Sequence, residues 1–378
     1  MAQLGAAQLT IRQKLLQLNW QFVLLIMLTA SVGFAMLYSA ADGNFDPWAS
    51  RQISRFAVGV AIMLTVALID IRIWLRAAYP IYGACLALLA AVEIMGFIGM
   101  GAQRWIDMGF FKLQPSEVMK IAVVLALARY FHRFDVDEVG LLRNLIIPVF
   151  IVVAPMALVL RQPDLGTAGV IAMVGAAMFW IGGVRVWQFG VVAAAAAAAV
   201  PVGWQFLHAY QKQRIFTFLN PETDPLGSGY HILQSKIALG SGGLFGKGFL
   251  QGTQGHLNFL PEKQTDFIFT MLAEEFGLVG GVGLIALYAL LLGYGFYIAL
   301  CCRSQFARLL AMGITVNFFL YVFINIAMVM GVLPVVGVPL PLISYGGTAM
   351  LTVLTGFGLV MSCWLHRDTH INRRGGLA

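Results

Sequence analysis

The chain predicts an all-α polytopic membrane protein, and three observations carry that prediction. Of its 378 residues, 60% are apolar and only 11% charged, against roughly 45–50% and 25% in soluble globular chains. The mean hydropathy is +0.83, and no water-soluble surface can be built from so few polar residues. The apolar residues also come in long unbroken runs. A membrane barrel would show segments of about ten residues with alternating character, so the spans are helices.

Runs free of obstructing charge place ten transmembrane helices at residues 20–38, 53–69, 77–99, 115–131, 145–160, 167–182, 188–207, 267–300, 309–331 and 346–365. They belong to a single membrane domain covering 1–378. Arg12 and Lys14 precede the first run, and no small-residue cleavage site follows a short apolar core, which reads as a retained signal anchor. The fourth span opens on Pro115, a residue suited to the first turn of a helix. Seven consecutive alanines, 193–199, lie in the seventh span and predict close helix packing there.

One large extramembrane segment separates spans seven and eight, at about 208–266, and it is rich in Gly, Pro and Asn. Within it, Tyr230, Leu233 and Ile237 fall at helical spacing and predict a short interfacial helix. Before the last span, Pro334, Pro339 and Pro341 forbid a regular helix. There is no internal repeat and no pair of broken helices in corresponding halves, which counts against a secondary transporter.

The net charge of +7 has a topological cause. With a cytoplasmic N-terminus, the inner loops hold 13 basic residues and the short outer loops five, Arg51, Arg55, Arg104, Lys112 and Arg161. The positive-inside rule then puts both termini in the cytoplasm and the large loop outside. No basic stretch is interleaved with exposed aromatics, so a nucleic-acid partner is not expected. Cys85, Cys301, Cys302 and Cys363 lie in spans or at a span end, and the six histidines are scattered. Neither set implies a disulfide framework or a metal cluster.

A charge within a span costs roughly 2.5–3.5 kcal/mol or more unless paired or wetted, so each one marks a candidate site. Glu117 and Lys120, three apart in the motif 101–120, share a helix face. They read either as a structural ion pair or as the wall of a polar cavity for a charged headgroup. Asp164, in the motif 161–167 beside Arg161, either caps the sixth span or serves a cation or hydroxylated substrate. Asp266, Thr270 and Glu274 fall at i, i+4 and i+8 where the large loop enters the eighth span, while Glu275 points nearly opposite. At that mouth Asp266 is placed to act as a base or to anchor the helix. Ser344 and Tyr345 add hydroxyls to the proline-rich segment 334–347. All four groups converge on the outer face, and they suit a lipid carrying phosphate and sugar.

At these motifs the chain resembles the SEDS family (shape, elongation, division and sporulation), over about 20–365. The likeness rests on residues 101–120, 161–167, 213–222, 224–231, 234–248, 260–277 and 334–347. The forms Phe218-Leu-Asn-Pro-Glu222 and Gly229-Tyr-His-Ile232 look like the elongation branch of the family rather than its division branch. The resemblance implies an inner-membrane peptidoglycan glycosyltransferase that polymerises lipid II. It also implies a partner, a class B penicillin-binding protein transpeptidase, together with other membrane proteins of the elongation machinery. It makes Asp266 the catalytic base and gives Glu117, Lys120 and Asp164 roles in a substrate-binding cavity. Arg104, Trp105 and Arg214 fall in matched motifs as phosphate or sugar contacts, and Ser344 joins the binding set. The departing pyrophosphate develops charge that Arg, Lys or a divalent cation must meet, and no other cofactor is implied. A lipid II flippase and a non-catalytic elongation scaffold remain as rival readings.

The basic asymmetry makes a direct prediction. A reporter fused after Ala378 should read cytoplasmic, and one inserted near Gly255 should read periplasmic. An outward C-terminus would overturn the span count.

Overall fold

A computed structural model of the chain describes residues 10–95, 97–99, 102–107, 112–206, 209–220, 228–256 and 262–372. A short helix, α1 (Ile11–Leu16), begins with a capping box: the Thr10 hydroxyl accepts the Gln13 N–H while the Gln13 side chain accepts the Thr10 N–H. Three long apolar helices follow, α2 (Trp20–Ala40), α3 (Ala49–Leu68) and α4 (Ile71–Met95). Next come β1 (Phe97–Gly99), β2 (Ala102–Asp107) and β3 (Lys112–Leu113), an antiparallel sheet in the order β1-β2-β3. This corrects the expectation of helices alone and of a plain outer loop. Backbone groups at a membrane rim need partners, and a tight ribbon pairs them with each other.

The chain continues through α5 (Pro115–Phe131), α6 (Val136–Val139), α7 (Leu142–Arg161), α8 (Leu165–Gly182) and α9 (Val186–Phe206). The segment after α9 carries α10 (Ala209–Leu219), α11 (Ser228–Ser241) and α12 (Thr253–His256). The last three helices are α13 (Ile268–Cys301), α14 (Gln305–Val329) and α15 (Gly347–Leu365). Among the described residues eight helices, α2, α3, α4, α7, α8, α13, α14 and α15, are long and apolar enough to cross a membrane. The other two expected spans coincide with α5 and α9.

Helix α5 is the axis of the bundle. It packs against α4, α7, α8, α14 and α15, and nearly all its residues are buried. Helix α9 is its opposite. Every residue from 191 to 200 is exposed, and among the described residues α9 makes no extensive contact with another element. Contrary to expectation, the alanine run 193–199 packs against no other helix among the described residues. A run of methyl groups permits close approach but supplies little attraction of its own.

The predicted helix near 230–239 exists as α11, but its inward face is different. Ile232, Ser235 and Ala238 are buried while Ile237 is exposed, because α11 packs on α13 instead of lying on lipid. The Ser235 hydroxyl donates to the Val329 carbonyl at 2.8 Å and lies 2.9 Å from Thr270 Oγ1.

Helix α13 has 34 residues, about 51 Å at 1.5 Å per residue. That is longer than a bilayer core of about 30 Å needs, and α13 is not one straight helix. It is broken at Gly277, whose φ of 66° and ψ of −161° are not helical. The segment 242–248 stitches the break: the N–H groups of Lys247 and Gly248 donate to the Glu274 and Glu275 carbonyls, each at 3.0 Å. The N–H groups of Leu278 and Val279 donate back to Gly243 and Leu244, at 2.9 and 3.1 Å. A Cβ on Gly277 would sit 2.3 Å from the Gly246 nitrogen, so both the positive φ and the close approach require glycine.

The Glu274 side chain, fully buried, holds the same segment from within. It accepts from Lys247 Nζ at 2.7 Å, the Thr253 N–H at 2.9 Å and the Gln254 N–H at 3.1 Å. Glu275 turns the other way and accepts from the Ser39 hydroxyl of α2. Glu274→Ala should therefore lower the thermal midpoint of the purified protein, and Glu274→Gln, which keeps an acceptor oxygen, should lower it less. Breaking a fully buried pair costs about 3–5 kcal/mol, an upper bound here because the Lys247 side chain is 27% exposed. An unchanged midpoint in the alanine variant would show that Glu274 is no anchor.

Candidate functional site

The site is built around two irregular stretches, the turn 262–267 ahead of α13 and the segment between α14 and α15. Asp266 lies in that turn, partly exposed. The α13 N-cap is Phe267 and the helix starts at Ile268. Asp266 therefore lies outside the helix and does not share a stripe with Thr270 and Glu274, because the helix begins two residues later. Its backbone is fixed from two directions. Asn325 of α14 donates its amide to the Asp266 carbonyl at 3.0 Å and to the Val338 carbonyl at 2.7 Å. The Ser344 hydroxyl donates to the Thr265 carbonyl at 2.5 Å and accepts the Leu340 N–H at 2.8 Å.

The Tyr345 N–H, 2.8 Å from the Gln264 carbonyl, adds a further rung between the two stretches. From the bundle, Gln52 of α3 donates to the Ser344 carbonyl at 2.9 Å and Tyr288 of α13 to the Pro341 carbonyl at 2.6 Å. The backbone at Gly337, with φ of 75°, runs past the carboxylate. A Cβ added there would meet Asp266 Oδ2 at 3.5 Å. An acid on so firmly held a backbone keeps its position at a partly exposed place.

Glu117 and Lys120 form a buried ion pair, Lys120 Nζ to Glu117 Oε1 at 2.7 Å, with the two residues only 5% and 1% exposed. The other Glu117 oxygen accepts from the Tyr321 hydroxyl of α14, and Lys120 Nζ lies 4.2 Å from the centre of the Tyr321 ring. The three satisfy one another, as buried charges must. Of the two readings open from the sequence, the ion pair is the geometry observed.

Asp164 is the N-cap of α8, accepting from the Thr167 N–H at 3.0 Å and the Thr167 hydroxyl at 2.9 Å. Arg104 of β2 approaches Asp164 Oδ2 at 3.5 Å and donates to the Pro163 carbonyl at 2.7 Å. Its side chain stays 30% exposed, so it offers positive charge at the rim. Trp105 pairs with Phe97 across the β1–β2 ladder and is half-buried. The segment before α15 closes on this group as well, since a Cβ on Gly166 would meet Val336 Cγ1 at 2.1 Å. Arg214 belongs to α10, and its side chain lies outside the described residues.

Sequence reasoning missed two members of this site, Tyr321 and Asn325. With Asn317 they lie at i, i+4 and i+8 on α14, all buried. Polar side chains spaced one turn apart inside an apolar span were the available signal. Among the described residues no three His, Cys, Asp or Glu side chains converge as a metal cage. The positive charges beside Asp164 and Glu117 are those of Arg104 and Lys120.

The FtsW/RodA/SpoVE family, described as cell cycle proteins, matches residues 14–369. The chain belongs to this family. It is the SEDS family that the motifs resemble. The peptidoglycan glycosyltransferase MrdB of Escherichia coli (strain K12) is 48% identical over 346 residues, 91% of this chain and 93% of that protein. Stage V sporulation protein E of Bacillus subtilis (strain 168) is 35% identical over 349 residues, 90% of this chain and 95% of that one. The crystal structure of the Thermus thermophilus rod shape determining protein RodA superposes with a TM-score of 0.70 at 30% identity, over 93% of this chain and 97% of that one. A chain from a peptidoglycan synthase complex that coordinates polymerization and crosslinking gives a TM-score of 0.80 at 32% identity, over 93% of this chain and 98% of that one.

In this SEDS protein the buried pair makes a quantitative prediction. Glu117→Ala strands Lys120, and Lys120→Ala strands Glu117, each costing about 3–5 kcal/mol. The double variant should lose less than the sum of the two. Chemical unfolding in mixed micelles checks this, and strict additivity would mean that the two charges do not interact.

Proposed function

We propose that the chain is a peptidoglycan glycosyltransferase that polymerises lipid II into glycan strands during cell elongation. The observation that carries this reading is Asp266, a partly exposed acid held from α14 and from the Ser344 segment, with the Gly337 backbone alongside. Its carboxylate takes the proton from the 4-hydroxyl of the acceptor GlcNAc. The freed oxygen attacks the anomeric carbon of the donor MurNAc, the bond from that carbon to the pyrophosphate oxygen breaks, and the configuration inverts from α to β. Undecaprenyl pyrophosphate departs, and Arg104 at the rim meets its growing charge. A divalent cation would arrive with the substrate's phosphates. Trp105 and Arg214 contact sugar or phosphate. Glu117, Lys120 and Asp164 belong to the binding set, acting from beneath it by holding α5, α8 and α14 in register, while Ser344 holds the Asp266 turn.

The full assignment places ten spans in the bacterial inner membrane, both termini in the cytoplasm and the 208–266 loop in the periplasm. The 13-to-5 basic asymmetry supports that orientation. A class B penicillin-binding protein is the expected partner, supported by the likeness to a chain of a synthase complex that couples polymerization to crosslinking. Other membrane proteins of the elongation machinery complete the assembly.

Asp266→Asn is the decisive test, because it keeps size and hydrogen bonding yet cannot take a proton. The variant should insert, melt like the wild type and bind its partner, while losing polymerisation by about 10²–10⁴-fold or more. Purified complex given lipid II, with glycan strands resolved on a gel, reads this directly. Near-normal polymer from the asparagine variant would remove Asp266 from the mechanism. Translocation of lipid II without polymer from the wild type would instead favour a flippase.

A further inference from the structure

At the end of the bundle away from Asp266, the start of α2, the second half of α13 and the last turn of α15 enclose a cleft of about 710 Å³. That volume falls in the usual range of about 300–1,000 Å³ for small-molecule sites. Trp20 and Gln21 line it from α2, Gly293, Tyr294 and Tyr297 from α13, and Trp364 from α15. The wall at Gly293 is open, since a Cβ built there meets nothing within 4 Å. Across the cleft the Tyr294 hydroxyl donates to Gln21 Oε1 at 2.5 Å, an exposed polar pair in a mainly apolar wall.

The rim combines aromatic rings with positive charge. Trp20 and Tyr297 are each about half exposed. The indole N–H groups of Trp20 and Trp364 donate to the Leu15 and Gln17 carbonyls at 3.0 and 3.1 Å. Half-buried Trp and Tyr with satisfied polar edges are typical of the headgroup level of a membrane. Arg367 lies 4.3 Å over the Trp364 ring, and that ring is 5.9 Å from Tyr297. The Arg303 N–H donates to the Arg367 carbonyl at 2.9 Å and brings a second guanidinium alongside. Asp368 approaches both, at 3.7 and 4.0 Å, so two guanidiniums face one carboxylate and the rim stays positive. Towards the membrane centre the flanking helices go on to expose Leu24, Leu28 and Leu290, a path suited to an acyl chain.

We propose that this cleft binds one anionic phospholipid, its phosphate against Arg367 and one acyl chain in the groove between α2 and α13. Basic pockets between transmembrane helices at the headgroup level are suited to anionic lipid. The two guanidiniums at the rim and the Tyr294–Gln21 pair favour an anionic headgroup, with its acyl chain on the apolar wall, over a partner's uncharged transmembrane helix. The inference goes beyond the polymerase reading and does not depend on the chemistry at Asp266.

Native mass spectrometry of the full-length protein released from nanodiscs of phosphatidylglycerol, or of phosphatidylcholine with the same chains, tests it. One phosphatidylglycerol should be retained per protein, phosphatidylcholine should not, and added inorganic phosphate should not displace the lipid. Arg367→Gln should reduce retention about tenfold, the scale of one charge-assisted hydrogen bond, and Arg367→Lys should reduce it less. Gly293→Leu should block the groove, and Leu290→Trp provides a second block should the first variant melt early. Equal retention of the two lipids, release by inorganic phosphate, or undiminished retention in folded Arg367→Gln and groove-blocking variants would each overturn the proposal. Loss of a co-purifying membrane protein from the groove variants, with lipid retention unchanged, would overturn it in favour of a partner helix.

Discussion

Irregular backbone at membrane depth persists only if its N–H and C=O groups find partners inside the protein, and this constraint governs the outer end of the molecule. Three prolines between 334 and 341 deny that segment a helix. Its carbonyls are instead claimed by side chains from separate elements, Gln52 from α3, Tyr288 from α13 and Asn325 from α14. Ser344 supplies the last tie, to the turn that carries Asp266. Asn325, which satisfies the loop, also bonds the Asp266 carbonyl, and through it and Ser344 the constraint on the loop becomes a constraint on the acid.

Helix α14 connects this loop to the charges below it. Tyr321 reaches Glu117 and covers Lys120, and Asn325, one turn on, reaches Asp266 and Val338. One helix face thus sets the relation between a buried ion pair and a partly exposed acid. The pair is closed on itself and nearly solvent-free, so its influence passes through the position and charge of its neighbours. Arg104 is different, because its guanidinium nitrogens reach the Gln162 and Pro163 carbonyls and Asp164 while its side chain stays 30% exposed.

Much of this was legible in the sequence, and the remainder fails for physical reasons. Charges inside apolar runs are conspicuous, so Glu117, Lys120, Asp164 and Asp266 could be named before any coordinates. The ribbon at 97–113 could not, because strands of two to six residues are too short to show a period. The stripe drawn through Asp266, Thr270 and Glu274 assumed a helix start two residues early, and helix boundaries are the weakest part of any such reading. Tyr321 and Asn325 were visible as polar residues in a span, yet they carry no net charge and so raised no alarm. The exposure of the alanine run in α9 depends on which neighbours are present, and local sequence holds no information about that.

The break in α13 shows why the large loop belongs to the site's frame. Glycines at 277, 280, 281 and 283 look alike in the sequence, but only Gly277 takes a left-handed φ within α13, and only there does another backbone enter the helix. Ahead of the break lie the first turns of α13, set off from the longer part of the helix by the non-helical Gly277. They are positioned by the 242–248 segment, by Glu274 and Glu275 reaching in opposite directions, and by Ser235 of α11 beside Thr270. The Asp266 turn is attached to that short half-helix. Its position is thus set jointly by α14 from inside the bundle and by the extramembrane segment from outside, and a displacement of either would move the acid.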